Sequence, residues 1–527
     1  MSTGDWLLTA EQRGNPASVL PAWSSGNQVR VLVHGAVYFD RLATAVQAMR
    51  AGDLLFFTDW RGDPDQLMRS QGPTVAQLFS AAARRGVVVR GLVWRSHFDW
   101  VQYSAAQRRS LADNIDDDGG QVLLDQRVRV FGSHHQKMVV LRHAGRPESD
   151  VAFVGGIDLC HGRRDDSKHR GDPQAVRMSG RYGNRPPWHD VQAEIRGPAV
   201  DVVDLAFRER WTDPALLRLG SPIAMLRDRL AGRPSTGRPL PPSPAPPAPT
   251  GPHTVQVLRT YPAKRRPYPY APRGERSIAR GYVKAIRRGR RFIYLEDQYL
   301  WSTQVADLFA RALRDNPLLH LAVVVPRHPD VDGRFALPPN LLGRRYAIDV
   351  CRKAGGDRVH VFDVENHVGD PVYVHAKVCV IDDVWASIGS DNFNRRSWTH
   401  DSELSCAVLD DTRDQREPHD PAGLGDGARR YARDLRLTLM REHLDRVPGD
   451  DADLLDPIAA VRALAASADT LEAWHTAGRP GPRPPGRLRR HVPEPMARFT
   501  RTWAALPYRI LYDPDGRPGR LRRTRNW

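Results

Sequence analysis

The sequence predicts an α/β protein built from two repeats of one unit, related by a pseudo-twofold axis. Each repeat is expected to be a mixed sheet flanked by helices, with the active site at their interface. Three observations carry this reading. Residues 133–142, "SHHQKMVVLR", and 373–382, "YVHAKVCVID", both hold histidine, one residue, lysine, then an apolar run. The elements ahead of the two patterns recur in the same order. Their spacing agrees, since Asp59 lies 76 residues before His135 and Asp297 lies 78 before His375. Such recurrence reads as an internal duplication.

In the first repeat, "RLATAVQAMRAGD" puts Leu42, Ala45, Val46 and Met49 on one helical face, and the strand "LLFFTDW" follows. In the second, "SIARGYVKAIRRGRR" puts Ile278, Tyr282, Ala285 and Ile286 on one face, and "FIYLEDQYL" follows. A helix and a strand come next in each: "TVAQLFSAAARRG" then "VVVRGLVW", and "QVADLFARALRDN" then "LLHLAVVVP". "VRVF" precedes the first histidine pattern and "VHVF" the second. Residues 233–252, "RPSTGRPLPPSPAPPAPTGP", predict a stiff, disordered linker. The resulting division is a first repeat (1–232), the linker (233–252), a second repeat (253–410) and a helical, basic C-terminal extension (411–527). The extension reads as wrapping the surface; its basic end would also suit an anionic surface.

The length of 527 residues exceeds one ordinary core, and the formal charge of +17 favours anionic partners. Of 78 basic residues only six are lysines, and two of those are Lys137 and Lys377. In a chain that uses arginine by default, lysine there points to a need for a compact ammonium. The four cysteines lack the spacing of a zinc site or a disulfide framework. Buried thiols in a reducing compartment, and so a cytoplasmic location, are expected. The start "MSTGDWLLTAEQRGNP" does not read as a secretory signal, and runs such as "LAVVVP" are too short to span a bilayer. Membrane contact is therefore expected to be peripheral, at the inner face.

The apolar, β-branched runs after each lysine predict buried strands. Alternation then puts His135 and Lys137 on one face and His134 on the other, with His375 and Lys377 paired likewise. If both pairs converge, two imidazoles and two ammoniums surround one site. That set suits a phosphodiester, whose negative charge grows as a nucleophile adds. One imidazole can attack phosphorus while the other protonates the leaving oxygen. No cofactor and no metal ion enters this reading.

The second pattern runs without a gap through His375, Lys377, Asp382, Gly389, Ser390 and Asn392. The first gives His135 and Lys137, an insertion "HAGRPESD", then Gly155, Gly156 and Asp158 in "VAFVGGIDL". This resembles the phospholipase D superfamily, with its His-x-Lys…Asp…Gly-Ser-x-Asn signature, over roughly residues 30–410. "HHQK", "GGIDLCHGRRDD" and "PWHD" look like the eukaryotic-type, phosphatidylcholine-cleaving branch. The resemblance implies His135 as nucleophile and His375 as general acid. Lys137, Lys377, Asn392, Asp158 and Ser390 would bind the phosphoryl group, and Glu403 would orient His135. Asp165, with Asp166 as its rival, is expected to orient His375. Trp188, His189 and Asp190 match a family stretch and are expected to pack near the site.

The resemblance implies a phospholipase D that releases phosphatidic acid from a glycerophospholipid through a phosphohistidine, with head-group exchange when an alcohol replaces water. A cardiolipin synthase-like phosphatidyltransferase, a metal-independent nuclease and a non-catalytic binder of anionic lipid are the alternatives; nucleic acid is the less expected partner. No calcium-dependent lipid module is read ahead of the repeats. Docking is assigned to charge and to exposed aromatics, Tyr299, Trp301 or Trp385. One position departs from the signature: Arg142 stands where the family has aspartate, and the inserted loop with Asp150 is expected to support that strand instead.

Overall fold

The computed structural model describes residues 2–96, 105–217, 236–524 and 526–527. The first repeat supplies β1 (Ser24–Val33), β2 (Leu54–Asp59), β3 (Val88–Trp94), β4 (Gln121–Asp125), β5 (Met138–Arg142), β6 (Val151–Gly155), β7 (Trp188–His189) and β8 (Val191–Arg196). The second supplies β9 (His253–Tyr261), β10 (Glu275–Arg276), β11 (Phe292–Asp297), β12 (His320–Val324), β13 (Val359–Glu365), β14 (Pro371–Val374), β15 (Lys377–Ile381), β16 (Trp385–Gly389) and β17 (Glu403–Asp410), and the extension adds β18 (Leu488–Arg490).

The two sheets have one topology. The first runs β4-β3-β2-β5-β6-β8-β1, parallel between β2, β3 and β4 and antiparallel elsewhere. The second runs β13-β12-β11-β15-β16-β17-β9 with the same directions at every step. The duplication read from the sequence is thus a duplication of strand order. Two pairs, Ser24 with Val255 and Asn27 with His253, join β1 to β9.

Strand alternation sorts the side chains into layers. Met138 and Val140 of β5, Val154 of β6, Val378 and Val380 of β15 and Ile388 of β16 meet in one core shared by both repeats. The intervening Val139 and Leu141 pack with the helices Gly35–Gln47 and Val75–Arg84. Cys379 and Ile381 pack with Ser277–Arg288 and Thr303–Asp315. The helices Ala199–Trp211 and Arg430–His443, each following the last strand of its repeat, share the central core. All four cysteines are buried and free.

Several expectations shift. "VHVF" opens β13, but residues 128–131 form no strand; β4 holds the matching place in the first sheet. Of the proline-rich segment, residues 233–235 lie outside the described residues. Residues 236–252 are irregular, yet they are tied down rather than free. Trp211 donates to the carbonyl of Arg238, and Arg142 donates to those of Pro244 and Ala245. The extension does more than cover the surface: β18 pairs with β13 and lengthens the second sheet. Trp385 is 1% exposed and packs on Tyr282, so it offers nothing to a membrane. Among the described residues no helix is long and apolar enough to cross a bilayer.

Arg142 is 0% exposed and ion-paired with Asp150 at 2.8 Å and with Asp201 and Asp204 at 3.1 Å. In the second repeat, Asp382 accepts from the backbone N–H groups of Arg290, Arg291 and Phe292 and so anchors the start of β11. The first repeat makes the same tie from the other side. Asp53, just before β2, accepts from Ala144 N–H and from the Arg146 guanidinium in the β5–β6 turn. The inserted loop therefore supports the first hairpin, through Asp150 on Arg142 and Arg146 on Asp53.

Arg142→Asp restores the family residue but sets a fourth carboxylate among three. A buried charge left without its partner costs about 3–5 kcal/mol. The substitution should lower the urea midpoint by a corresponding amount; an unchanged midpoint contradicts this account.

Candidate functional site

Asp59 and Asp297 end β2 and β11, and the carboxyl ends of parallel strands are where α/β sheets present ligand sites. Both aspartates anchor the loop after the Gly-containing strand of their repeat. Asp59 accepts from Leu159 N–H at 3.0 Å, and Asp297 accepts from Phe393 N–H at 3.0 Å. These loops carry Asp158 and Asn392. His135 and His375 open onto one cavity of about 1050 Å³, with Asn392, Gln298, Arg163 and several aromatic side chains in its wall.

The histidines are held reciprocally. His135 Nδ1–H donates to Glu403 Oε2 at 2.9 Å, and His375 Nδ1–H donates to Asp190 Oδ2 at 2.7 Å. Each carboxylate belongs to the other repeat, at the point where β17 or β8 begins. Backbone contacts enforce the exchange. His135 N–H donates to Ser402 C=O at 2.9 Å, and His375 N–H donates to His189 C=O at 2.8 Å. Short parallel pairings, His134 with Ser402 and Val374 with His189, flank these bonds. In both rings Nε2 is left for chemistry.

The expected orienter of His375 is thereby corrected. Asp165 does not reach that ring. Its carboxylate is taken up by the backbone N–H groups of Asp166, Gly171 and Trp188, which fold the loop leading to β7. Asp166 is exposed. Asp190 takes the place, helped by Trp188, whose ring lies 4.9 Å from that of His375 and whose indole N–H reaches the same carboxylate oxygen at 3.3 Å.

Two assignments to phosphate binding also change. Ser390 Oγ donates to Glu403 Oε2 at 2.6 Å and accepts from Leu404 N–H, so its proton is committed to orienting Glu403. Asp158 lies 3.6 Å from Lys137 Nζ and accepts from Trp60 N–H. Burial works against its charge, but Lys137 and a hydrogen bond from Asp59 prevail and hold its pKa down to about 2. Burial and the neighbouring Asp158 push the Asp59 carboxyl well above the usual carboxylate range. An ionised carboxylate repels phosphate; Asp158 is a counter-ion that positions Lys137.

The two lysines sit differently. Lys137 donates to His135 C=O at 3.1 Å. Lys377 donates to His375 C=O and to Gln298 Oε1 at 3.3 Å. Burial, with repulsion from Lys137, pulls the Lys377 pKa down to about 8 against the pull of Asp190 and Asp297. Burial also drives His375 well below the usual imidazole range, and Lys377, Arg163 and Lys137 push the same way. The pocket is poised for an anion. Arg163, stacked 3.8 Å over Trp188, adds to that field and gave no sign in the sequence. His134 faces elsewhere, buried near Arg210 and Asp125.

One difference between the repeats follows from the carboxylates. Where the second has Ser390 against Glu403, the first has Gly156, and a Cβ there would meet Asp190 Oδ1 at 2.2 Å. The Gly-Gly of the first motif makes room for Asp190.

A family model described as Phospholipase D matches residues 63–232, and one described as Cardiolipin synthase, PLD-like domain, matches residues 340–416. The chain is 26% identical over 429 residues to phospholipase D alpha 1 of Cynara cardunculus, covering 62% of this chain and 51% of that protein. It is 25% identical over 386 residues to phospholipase D A of Dictyostelium discoideum, covering 61% and 28% respectively. The chain spans about half the length of the first curated relatives it matches. In structure it is similar to phosphatidylserine synthase of Haemophilus influenzae, with TM-score 0.53 and 15% identity over 87% of this chain and 98% of that one. That likeness bears on the fold alone.

Asp190→Asn should cut turnover of a chromogenic phosphodiester by on the order of ten-thousandfold, as expected when an imidazole loses the carboxylate that fixes its tautomer. Gly156→Ala should do much the same without removing an ionisable group. Asp165→Asn should lower the melting temperature more than it lowers kcat. If Asp165→Asn loses turnover and Asp190→Asn keeps it, the assignment fails.

Proposed function

Because the chain belongs to the phospholipase D superfamily, we propose that it cleaves the head-group phosphodiester of a glycerophospholipid in two steps through a phosphohistidine. The observation that carries this reading is the pair of crossed hydrogen bonds, His135 to Glu403 and His375 to Asp190, on rings that open onto one cavity.

Glu403 holds the Nδ1 proton of His135, so the Nε2 lone pair is the nucleophile. It forms the N–P bond as the P–O bond to the head group breaks. His375 Nε2–H gives its proton to the departing oxygen. Water, or an alcohol, then gives a proton to His375 Nε2 while its oxygen attacks phosphorus and releases His135. Lys137, Lys377 and Asn392 face the phosphoryl oxygens, where charge grows in each transition state. In the free site the lysines disfavour a charged His375. A phosphodiester anion between them offsets that repulsion, so substrate itself brings His375 to its acid form.

The glycerophospholipid assignment and the phosphatidylcholine-cleaving branch rest on the curated relatives and on a wall that mixes cations with Trp60, Trp188 and Tyr373. That lining suits an anionic head joined to an apolar body. The match of the second repeat to a cardiolipin synthase domain favours a transferase variant of the same chemistry, in which a lipid hydroxyl replaces water.

Phosphatidylcholine with a primary alcohol should yield phosphatidyl-alcohol alongside phosphatidic acid. Accumulation of cardiolipin from phosphatidylglycerol would favour the transferase. His135→Ala should reduce either product by on the order of ten-thousandfold. Plasmid degradation with no lipid product overturns the substrate class.

A further inference from the structure

Beside Asp190 in sequence, and outside the cavity wall, a second cluster has no part in the reaction above. His34 follows β1, His169 lies in the loop before β7, His189 is on β7, and Glu442 is in the helix Arg430–His443. Their ligand atoms all lie within 4.8 Å of one another. Glu442 is ringed by imidazole nitrogens: His34 Nε2 at 2.8 Å, His169 Nε2 at 3.0 Å and His189 Nδ1 at 3.5 Å.

The outer nitrogens of two rings are already assigned. His169 Nδ1 lies 3.1 Å from Trp188 C=O, which can only accept, so that nitrogen carries its proton. His189 Nε2 lies 2.7 Å from Glu296, which also takes His443 and the Tyr294 hydroxyl. In neutral rings, His169 Nε2 and His189 Nδ1 then present lone pairs to a carboxylate, acceptor against acceptor. Hydrogen bonds alone resolve this only if extra protons are taken up, by the rings or by Glu442, in a dry interior. A cation in the middle resolves it with both rings neutral.

The dimensions fit. Ligands about 2.0–2.1 Å from a tetrahedral zinc lie about 3.3 Å apart; the three distances from Glu442 run from 2.8 to 3.5 Å and those between the imidazoles reach at most 4.8 Å, so the rings need close in only slightly on an ion. Three imidazoles and one carboxylate suit a borderline transition metal and do not suit calcium. The links from His189 to Glu296 and from His169 to the Trp188 carbonyl are those that orient metal-bound imidazoles. The backbone pays for the convergence, since His34 and His169 both adopt positive φ, 71° and 49°.

We propose that His34, His169, His189 and Glu442 bind one divalent transition-metal ion of the zinc class. The ion locks the strand that presents Asp190 to His375 onto the helix Arg430–His443, which gives the extension a structural reason to be present. The site stands whatever reaction the cavity performs.

The test is metal content of the full, untagged chain, loaded with zinc and passed through gel filtration, by plasma mass spectrometry. About one zinc per chain is expected. The cobalt-loaded chain should show the strong visible absorption of a tetrahedral site. His135→Ala should keep the metal, while His169→Ala and Glu442→Gln should each lose it. Dipicolinate should lower the melting temperature of the wild type, and zinc should restore it. Should the variants fail to fold, the wild-type stoichiometry and cobalt spectrum decide alone. Less than about a tenth of an equivalent after loading, or full retention in both folded variants, overturns the proposal and leaves a cluster of protonated histidines.

Discussion

The structure turns on an exchange: each imidazole of the candidate site is held by a carboxylate from the other repeat. His135 depends on Glu403, and His375 depends on Asp190. Neither repeat alone could build half a site. It would present a histidine of undefined tautomer and a buried carboxylate without a partner, which is costly. The shared apolar core and the β7–β14 pairing are what make the exchange geometrically possible. The duplication is therefore a condition of the paired-histidine geometry.

Within that frame the repeats have diverged in compensating ways. Glu403 with Ser390 is matched by the shorter Asp190 with Gly156, where the missing side chain leaves the space the carboxylate needs. Asn392 is matched by Asp158, which lies 3.6 Å from Lys137 Nζ. Asp382 is matched by Arg142, and the anchoring carboxylate moves across the hairpin to Asp53. Each change conserves the geometry around the histidines while altering the charge behind them. A near-symmetric scaffold thus holds two imidazoles in unlike surroundings, which suits the unlike roles proposed for them.

Much of this was legible in the sequence, because helical and strand periodicities report which faces are buried. The amphipathic helices, the paired strands after each lysine and the order of elements all follow from such patterns. Glu403 was legible because its motif is ungapped. Asp190, which occupies the equivalent place, was not. Glu403 lies eleven positions after Asn392, whereas Asp190 lies thirty-two after Asp158. The long segment between Asp158 and Asp190 hides the correspondence, and Asp165 lies nearer to the spacing seen in the second repeat. Had the repeat been aligned on the start of its last strand, "HDVQAEIR" against "SELSCAVL" would have revealed it. The histidine cluster had no such signal: His34 and Glu442 stand 408 residues apart and meet only through tertiary packing.

In the proposed reaction both rings act on one phosphorus atom, with His135 bonded to it. The most direct measurement uses the His375→Ala protein with a nitrophenyl phosphodiester, whose leaving group needs no acid. Loss of the second-step base should let an acid-labile, base-stable phosphoryl adduct accumulate, and peptide mapping should place it on His135. An adduct on any other residue, or turnover with no covalent species, would contradict the account.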